Sequence, residues 1–183
     1  MKSEESWVAR IEPSDDPSVW VPVINEIARG SCCKYRLDKQ TGQLALARAL
    51  PPDVSFPTNY GFIPRTRSDA DDEETDVLVV SGEPLLPLTI VRARIVGGFI
   101  ETNSHKQSAE PRLLAVALND PAVEQIRDLQ DIPRNIKTRI EAFVLSSKED
   151  PQVEVTFDGW LERAAALAQL ERAFEAARER PPK

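Results

Sequence analysis

Alternating polar and apolar residues predict a β-hairpin in the first third of the chain. The segment Cys33–Asp38 alternates strictly and places Lys34 and Arg36 on its polar face. The segment Gln43–Arg48 shows the returning pattern, and Gly42 between the two suits the positive φ that a tight turn requires. The predicted hairpin therefore carries basic side chains on strands, where their directions are well defined.

Short apolar runs predict further strands on both sides of a polar stretch. These runs are Val23–Ile27, Asp76–Ser81, Leu88–Val96, Leu113–Leu118 and Val153–Phe157. Gly97 and Gly98 predict a bulge or bend, which small barrels use to turn corners, and Phe99 and Ile100 continue the strand beyond it. The polar stretch from Thr102 to Pro111 is predicted to be a loop.

The last third of the chain changes to a helical period. A short helix is predicted from Asp120, and a second begins near Pro133. The second has one apolar stripe, formed by Ile136, Ile140, Phe143 and Val144. An Ala-rich C-terminal helix is predicted over residues 160–180, and residues 1–20 read as an extended N-terminal arm. Many strands followed by helices predict one domain over residues 1–183, of the α+β class and mainly β. The expected architecture is a small OB-like closed β-barrel with two or three helices packed outside.

Composition narrows the classes of partner and compartment. The chain has 183 residues and a formal net charge of −7, with a sequence pI of about 4.9. This acidic balance argues against nucleic acid or an anionic membrane as a partner. No hydrophobic leader or long apolar run occurs, so a cytoplasmic location is expected. Cys32 and Cys33 are adjacent and cannot staple distant segments, and His105 is expected in a surface loop.

A dense acidic run follows a stretch of aromatic residues and chain-bending residues in Phe56–Asp76. Its six carboxylates lie within eight positions, at Asp69, Asp71, Asp72, Glu73, Glu74 and Asp76. Carboxylates held this close repel one another, and a hard divalent cation relieves the repulsion. The alternative is a solvated acidic loop. The acidic run alone leaves both interpretations open.

Several short motifs occur in one order along the chain. They are Glu26-Ile27, Lys34-Tyr35, Asp38-Lys39-x-x-Gly42, Arg48, Phe56-Pro57-x-Asn59-Tyr60-Gly61-Phe62-Ile63, Asp71-x-Glu73-x-x-Asp76-Val77-Leu78-Val79, Arg92-x-Arg94-x-Val96-Gly97, Leu113-x-Ala115-Val116 and Gly159-Trp160. In this order they resemble the soluble inorganic pyrophosphatases of family I, from about Val21 to Phe174. The resemblance favours a metal-binding acidic loop over a solvated one.

The resemblance implies hydrolysis of inorganic pyrophosphate with Mg²⁺, or Mn²⁺ in its place, by a homo-oligomeric enzyme. The implied metal ligands are Asp71, Asp76, Glu110 and, through water, Glu26. Glu73 matches the position of the carboxylate that takes a proton from the attacking water, and Arg48 and Tyr60 are also placed in the catalytic set. The implied substrate-binding residues are Lys34, Arg36, Arg48, Tyr60, Arg112 and Lys148. Tyr35, Asp38, Asn59 and Gly61 are expected to be structural.

The chain departs from the family pattern at the site itself. Arg36 replaces a Glu, Phe56 replaces a Tyr, and Glu73 replaces an Asp. The second acidic loop, normally two Asp and a Lys, matches Asn103, Glu110 and Arg112, with Glu101 as a competing ligand, and Ser147 replaces a Tyr beside Lys148. The chain thus has fewer carboxylates for metal binding than the family pattern and more arginines, which bind phosphate bidentately.

Three functions follow from these departures. The first is pyrophosphate hydrolysis, either slow or with altered metal use. The second is a non-catalytic subunit that binds phosphate, pyrophosphate or a nucleotide, and the third is hydrolysis of another diphosphate.

Overall fold

Eight β-strands and two α-helices make up the part of the chain that the computed structural model describes, namely residues 7–68, 72–104, 108–147 and 153–180. The strands are β1 (Val21–Ile27), β2 (Cys33–Asp38), β3 (Gln43–Ala49), β4 (Asn59–Ile63), β5 (Thr75–Val80), β6 (Ile90–Asn103), β7 (Ser108–Ala117) and β8 (Val155–Glu162). The helices are α1 (Arg134–Ser146) and α2 (Arg163–Glu179), with 3₁₀ turns at Trp7–Arg10 and Leu129–Asp131.

Five of the strands form a ring. The order is β1-β4-β5-β7-β6, and β6 pairs again with β1, while β8 adds to β6 from outside the ring. The β5–β7 pair is parallel and the other pairs are antiparallel. Fully buried aliphatic residues such as Val79, Ile95 and Leu114 fill the core. This mainly-β ring with helices outside confirms the predicted fold class.

Glycines permit two close backbone approaches in the ring. A Cβ at Gly61 on β4 would lie well inside van der Waals contact with the carbonyl oxygen of Ile24 on β1. A Cβ at Gly98 would lie 2.5 Å from the carbonyl oxygen of Arg112 on β7. The pairing of β6 with β7 shifts register between Ile95 and Gly97, which confirms the predicted bulge.

Strands β2 and β3 form the predicted hairpin, and this hairpin is a two-stranded sheet separate from the ring. Gly42 turns the hairpin with a φ of 71°. Leu37 is buried against Ile24 and Phe62, so the apolar face of the hairpin packs on β1 and β4. Several charged side chains of the hairpin, among them Lys34, Arg36 and Arg48, line the cavity described below.

Helices α1 and α2 each bury one stripe. Ile140 and Val144 of α1 join the main core, and Ile136 packs against it, as the predicted stripe requires. In α2 the buried residues are Ala166, Leu170 and Ala173. Neither helix is both long and apolar enough to cross a membrane.

Several predicted boundaries were wrong. Strand β4 was missed, because Asn59–Ile63 lies in a stretch whose prolines and glycine suggested irregular structure. The predicted loop from Thr102 to Pro111 is largely strand, since β6 and β7 extend into it. The helix predicted from Asp120 is instead a turn. In this turn the backbone carbonyl of Asp120 accepts the N–H groups of Val123 and Glu124. Strand β8 continues to Glu162, so the C-terminal helix begins at Arg163 rather than at residue 160.

Candidate active site

A cavity of about 750 Å³ is lined by the β2–β3 hairpin and by the ring strands β1 and β4–β7. It brings together every predicted site residue that the structure describes: Glu26, Lys34, Arg36, Arg48, Tyr60, Glu73, Asp76, Glu110 and Arg112. Glu101 and Asn103, the two competitors for the second acidic loop, line the same cavity. Two predicted residues, Asp71 and Lys148, lie outside the described residues, as does His105.

The hairpin contributes a cationic wall. Lys34 on β2 and Arg48 on β3 are cross-strand partners, so their side chains start from neighbouring positions. One guanidinium nitrogen of Arg48, Nη2, donates to the carbonyl oxygen of Ser147 at 2.6 Å. This bond ties the hairpin to the end of α1.

Aromatic packing supports Tyr60 at the side of the cavity. The ring of Phe56 lies 5.4 Å from that of Tyr60 and 4.8 Å from that of Phe143, between ring centroids. Phe56 is only 3% exposed and packs with Ile27 and Leu50. A hydroxyl at this position would be desolvated, so the change from Tyr to Phe suits an apolar contact.

Cations of the hairpin neutralise the acidic segment before β5. Arg36 Nη1 lies 2.6 Å from Glu73 Oε1, and Lys39 Nζ lies 2.5 Å from Glu74 Oε2. Asp72, which precedes Glu73, pairs with Arg67 from the stretch that follows β4. These described carboxylates are therefore held by protein cations rather than left as a solvated loop. Two of the departures from the family pattern, Arg36 and Glu73, contact each other.

Arg112 on β7 lies at the centre of three carboxylates. It pairs through Nη1 with Asp76 Oδ2, its Nε and Nη2 lie 2.9 Å from Glu101 Oε1, and Nη2 lies 3.0 Å from Glu110 Oε2. The four side chains are between 6% and 24% exposed. Arg112 was predicted to bind substrate, yet here its N–H groups point to carboxylates.

Glu26 on β1 is buried beneath the hairpin. Its Oε1 accepts the backbone N–H of Leu37 at 2.6 Å, and the residue is 7% exposed. Burial raises the pKa of Glu26 from 4.5 to about 7, although the Leu37 hydrogen bond and the positive charges of Arg36 and Lys34 act in the opposite direction. With this pKa, Glu26 changes charge near neutral pH.

The donors in the cavity are the oxygen ligands that hard divalent cations prefer. Within the described ranges, however, no group of three or more acidic, His or Cys side chains is arranged to hold a metal ion. At the Asp76 centre the guanidinium of Arg112 takes the space between the carboxylates. The donor chemistry fits a divalent cation, and the arrangement around Arg112 does not.

The motif residues expected to be structural have structural partners. Asn59 accepts the N–H groups of Arg29 and Leu85 and donates to Ser81, which links the loop after β1 to the loop after β5. Asp38 accepts the N–H groups of its own turn. The sequence reasoning missed the pair of Lys39 with Glu74, because nothing in the local pattern brings residues 35 positions apart together.

The fold and the cavity define a mainly-β protein with an OB-like ring of strands and a cavity that both basic and acidic side chains line. A sequence model described as "Inorganic pyrophosphatase" matches residues 23–178. The chain belongs to the inorganic pyrophosphatase family.

Individual relatives agree with this assignment. The inorganic pyrophosphatase of Thermus thermophilus is 34% identical over 155 residues, which covers 82% of this chain and 86% of that protein. That of Aquifex pyrophilus is 33% identical and covers 90% of this chain and 93% of that protein. The crystal structure of the inorganic pyrophosphatase from Thermus thermophilus superposes with a TM-score of 0.85 at 30% identity, over 92% of this chain and 97% of that one.

Proposed function

We propose that this chain hydrolyses inorganic pyrophosphate to two phosphates with the help of Mg²⁺, or of Mn²⁺ in its place. The observation that carries the proposal is a single cavity that brings basic and acidic candidate residues together. Lys34 and Arg48 come from the hairpin, and Tyr60 lies on β4. Asp76 lies on β5, and Glu73 precedes that strand. The family membership and the names of the relatives support the same reaction.

The two ends of the substrate need different partners. Lys34 and Arg48 donate to phosphate oxygens and offset their negative charge, since ammonium and guanidinium groups are strong partners for phosphate. The Tyr60 hydroxyl donates to a further oxygen. Glu73 accepts the proton of the attacking water and holds that water by a hydrogen bond. The resulting phosphates leave toward the open side of the cavity.

Asp76, together with Asp71 from outside the described residues, is the proposed carboxylate pair for a divalent cation, and Glu26 acts through water. A bound divalent cation neutralises phosphate oxygens and makes a coordinated water more acidic. Members of the family depend on metal in general, and Mg²⁺ as the ion is our proposal. Asp76 lies at the start of β5, whose backbone pairing with β4 and β7 fixes its position.

Assembly as a homo-oligomer in the cytoplasm belongs to the same proposal. Leu86 and Leu88, between β5 and β6, and Ile90, at the start of β6, are exposed large apolar residues, and burying them favours self-association. Light scattering of the purified protein measures the mass of the assembly.

Phosphate release from pyrophosphate with Mg²⁺ or Mn²⁺ tests the reaction. The double variant Glu73→Gln, Asp76→Asn gives the blank, and Arg178→Gln on the exposed face of α2 is a control. Turnover no faster than the double variant would rule out the enzyme.

A second function, binding without turnover, is favoured by one observation. Arg36 and Arg112 engage the carboxylates of Glu73 and Asp76 that hydrolysis would use. Calorimetric binding of pyrophosphate with no release of phosphate would favour this function over hydrolysis. Release of phosphate from another diphosphate such as ADP, with none from pyrophosphate, would favour the third function.

A further inference from the structure

The guanidinium of Arg112 occupies the middle of an acidic centre that three strands build. Glu101 on β6 and Glu110 on β7 are cross-strand partners. Asp76 lies on β5, one position before Val77, whose pair with Leu113 begins the parallel pairing of β5 with β7. The backbone therefore fixes these three carboxylates around the side chain of Arg112.

We propose that Arg112 is the built-in cation of this centre and takes the place of one divalent metal ion. The proposal rests on the proposed pyrophosphatase function only for the role of the cavity, since it concerns metal uptake and not turnover. The centre formed by Arg112, Asp76, Glu101 and Glu110 is called the arginine centre below. It makes this chain bind fewer divalent cations than its carboxylates alone would hold.

The shape of the guanidinium carries the first argument. Three of its nitrogens, Nε, Nη1 and Nη2, donate to carboxylates on three strands. A lysine ammonium, which the family pattern has at this position, is a compact point charge on a flexible stem. The planar fork of arginine bridges carboxylates that are spread over several ångströms, and so it fills the space that a metal ion needs.

Burial and charge carry the second argument. The side chains of Arg112, Asp76 and Glu110 are 18%, 24% and 6% exposed, so their attraction is only weakly screened by water and salt. A divalent cation that enters the arginine centre meets a fixed positive charge at contact distance. It must either expel a guanidinium with three partners or stay outside. Both requirements oppose metal binding at this centre.

Counting bound ions tests the proposal directly. Equilibrium dialysis against Mn²⁺ at fixed ionic strength, with free ion followed by electron paramagnetic resonance, gives the number of ions per chain. Arg112→Gln should take up one additional Mn²⁺ relative to the unaltered chain. Arg178→Gln, which makes the same change in net charge at an exposed residue that does not line the cavity, should leave the number unchanged. Equal numbers for Arg112→Gln and the unaltered chain would overturn the proposal.

A second variant keeps the test decisive if Arg112→Gln folds poorly. In the otherwise unaltered chain, Glu101→Gln should leave the Mn²⁺ count unchanged, because Arg112 and not a metal neutralises that carboxylate. In the Arg112→Gln background, the same change should abolish the additional site. Loss of an ion from Glu101→Gln alone would show that Glu101 binds metal directly, and would refute the built-in cation. These counts are independent of phosphate release, so failure of this proposal and failure of the proposed hydrolysis are distinguished.

Discussion

Replacing the buried Glu26 by Gln should change how stability depends on pH. Burial favours the protonated carboxyl in the folded chain, with a pKa of about 7 against an ordinary 4.5. The folded state thus holds a proton that the unfolded state releases between these values. The stability from this group is fully present below the unfolded pKa and is lost as pH rises through the folded pKa.

The size of the loss follows from these two pKa values. The full difference corresponds to roughly 3 kcal/mol, and about 2.5 kcal/mol of it falls between about pH 5 and about pH 8. The Gln variant keeps the oxygen that accepts the Leu37 N–H and does not titrate. Other carboxyls with a lowered pKa, such as Asp38 and Asp158, change charge below 3.8 and so outside this window.

Thermal unfolding in EDTA, which keeps divalent ions away from the carboxylates, measures the effect. At about pH 8 we expect Glu26→Gln to unfold at a temperature higher by about 5–10 °C, because about 1 kcal/mol shifts a domain of this size by roughly 2–4 °C. At about pH 5 the advantage should be mostly gone. Parallel curves for the two proteins across this range would show that Glu26 does not hold a proton in the folded state.

Three further substitutions test the cavity and the ring. If Arg36 turns from Glu73 to the substrate, Arg36→Gln should raise the KM for pyrophosphate by about tenfold, since a hydrogen bond to a charged group contributes about 1.5–3 kcal/mol. An unchanged KM in the phosphate-release assay would count against binding of the substrate by Arg36. Asp76→Asn should weaken Mg²⁺ binding by at least about tenfold in calorimetry, because Oδ1, the oxygen of Asp76 that does not pair with Arg112, is the proposed ligand beside Asp71. An unaltered titration would argue against Asp76 as a ligand. Gly61→Ala should lower the free energy of unfolding by at least about 3 kcal/mol, because its Cβ overlaps the Ile24 carbonyl; an unchanged urea midpoint would contradict the close approach.

Local pattern was enough for the elements whose residues alternate. The hairpin of β2 and β3 follows from its two-residue period and from Gly42. Strand β4 could not be predicted this way, because Gly61 reads as a chain breaker until β1 is known to lie against it. The extension of β6 into polar residues was missed for a similar reason, since Glu101 and Asn103 face the cavity rather than solvent.

The sequence motifs identified residues that line the cavity, but they did not predict which of these residues contact one another. Each predicted site residue within the described ranges lines that cavity. The pairs of Arg36 with Glu73 and Arg112 with Asp76 join residues 37 and 36 positions apart. Such pairs depend on the parallel alignment of β5 with β7 and on the tilt of the hairpin, which no local period records. The sequence offered a solvated loop or a metal-binding loop, whereas Glu73 and Glu74 pair with protein cations, which spacing alone does not suggest.

Because the hairpin is a separate sheet, its two sides are held by different kinds of contact, and these respond differently to salt. The cationic wall is not hydrogen-bonded into the ring strand by strand; its apolar side packs on β1 and β4, and its charged side meets the acidic segment through Arg36–Glu73 and Lys39–Glu74. Salt screens the more exposed of these pairs over roughly 10 Å at 0.1 M. Higher ionic strength therefore weakens the contacts on the charged side of the hairpin, whereas the packing of Leu37 on Ile24 and Phe62 does not depend on charge.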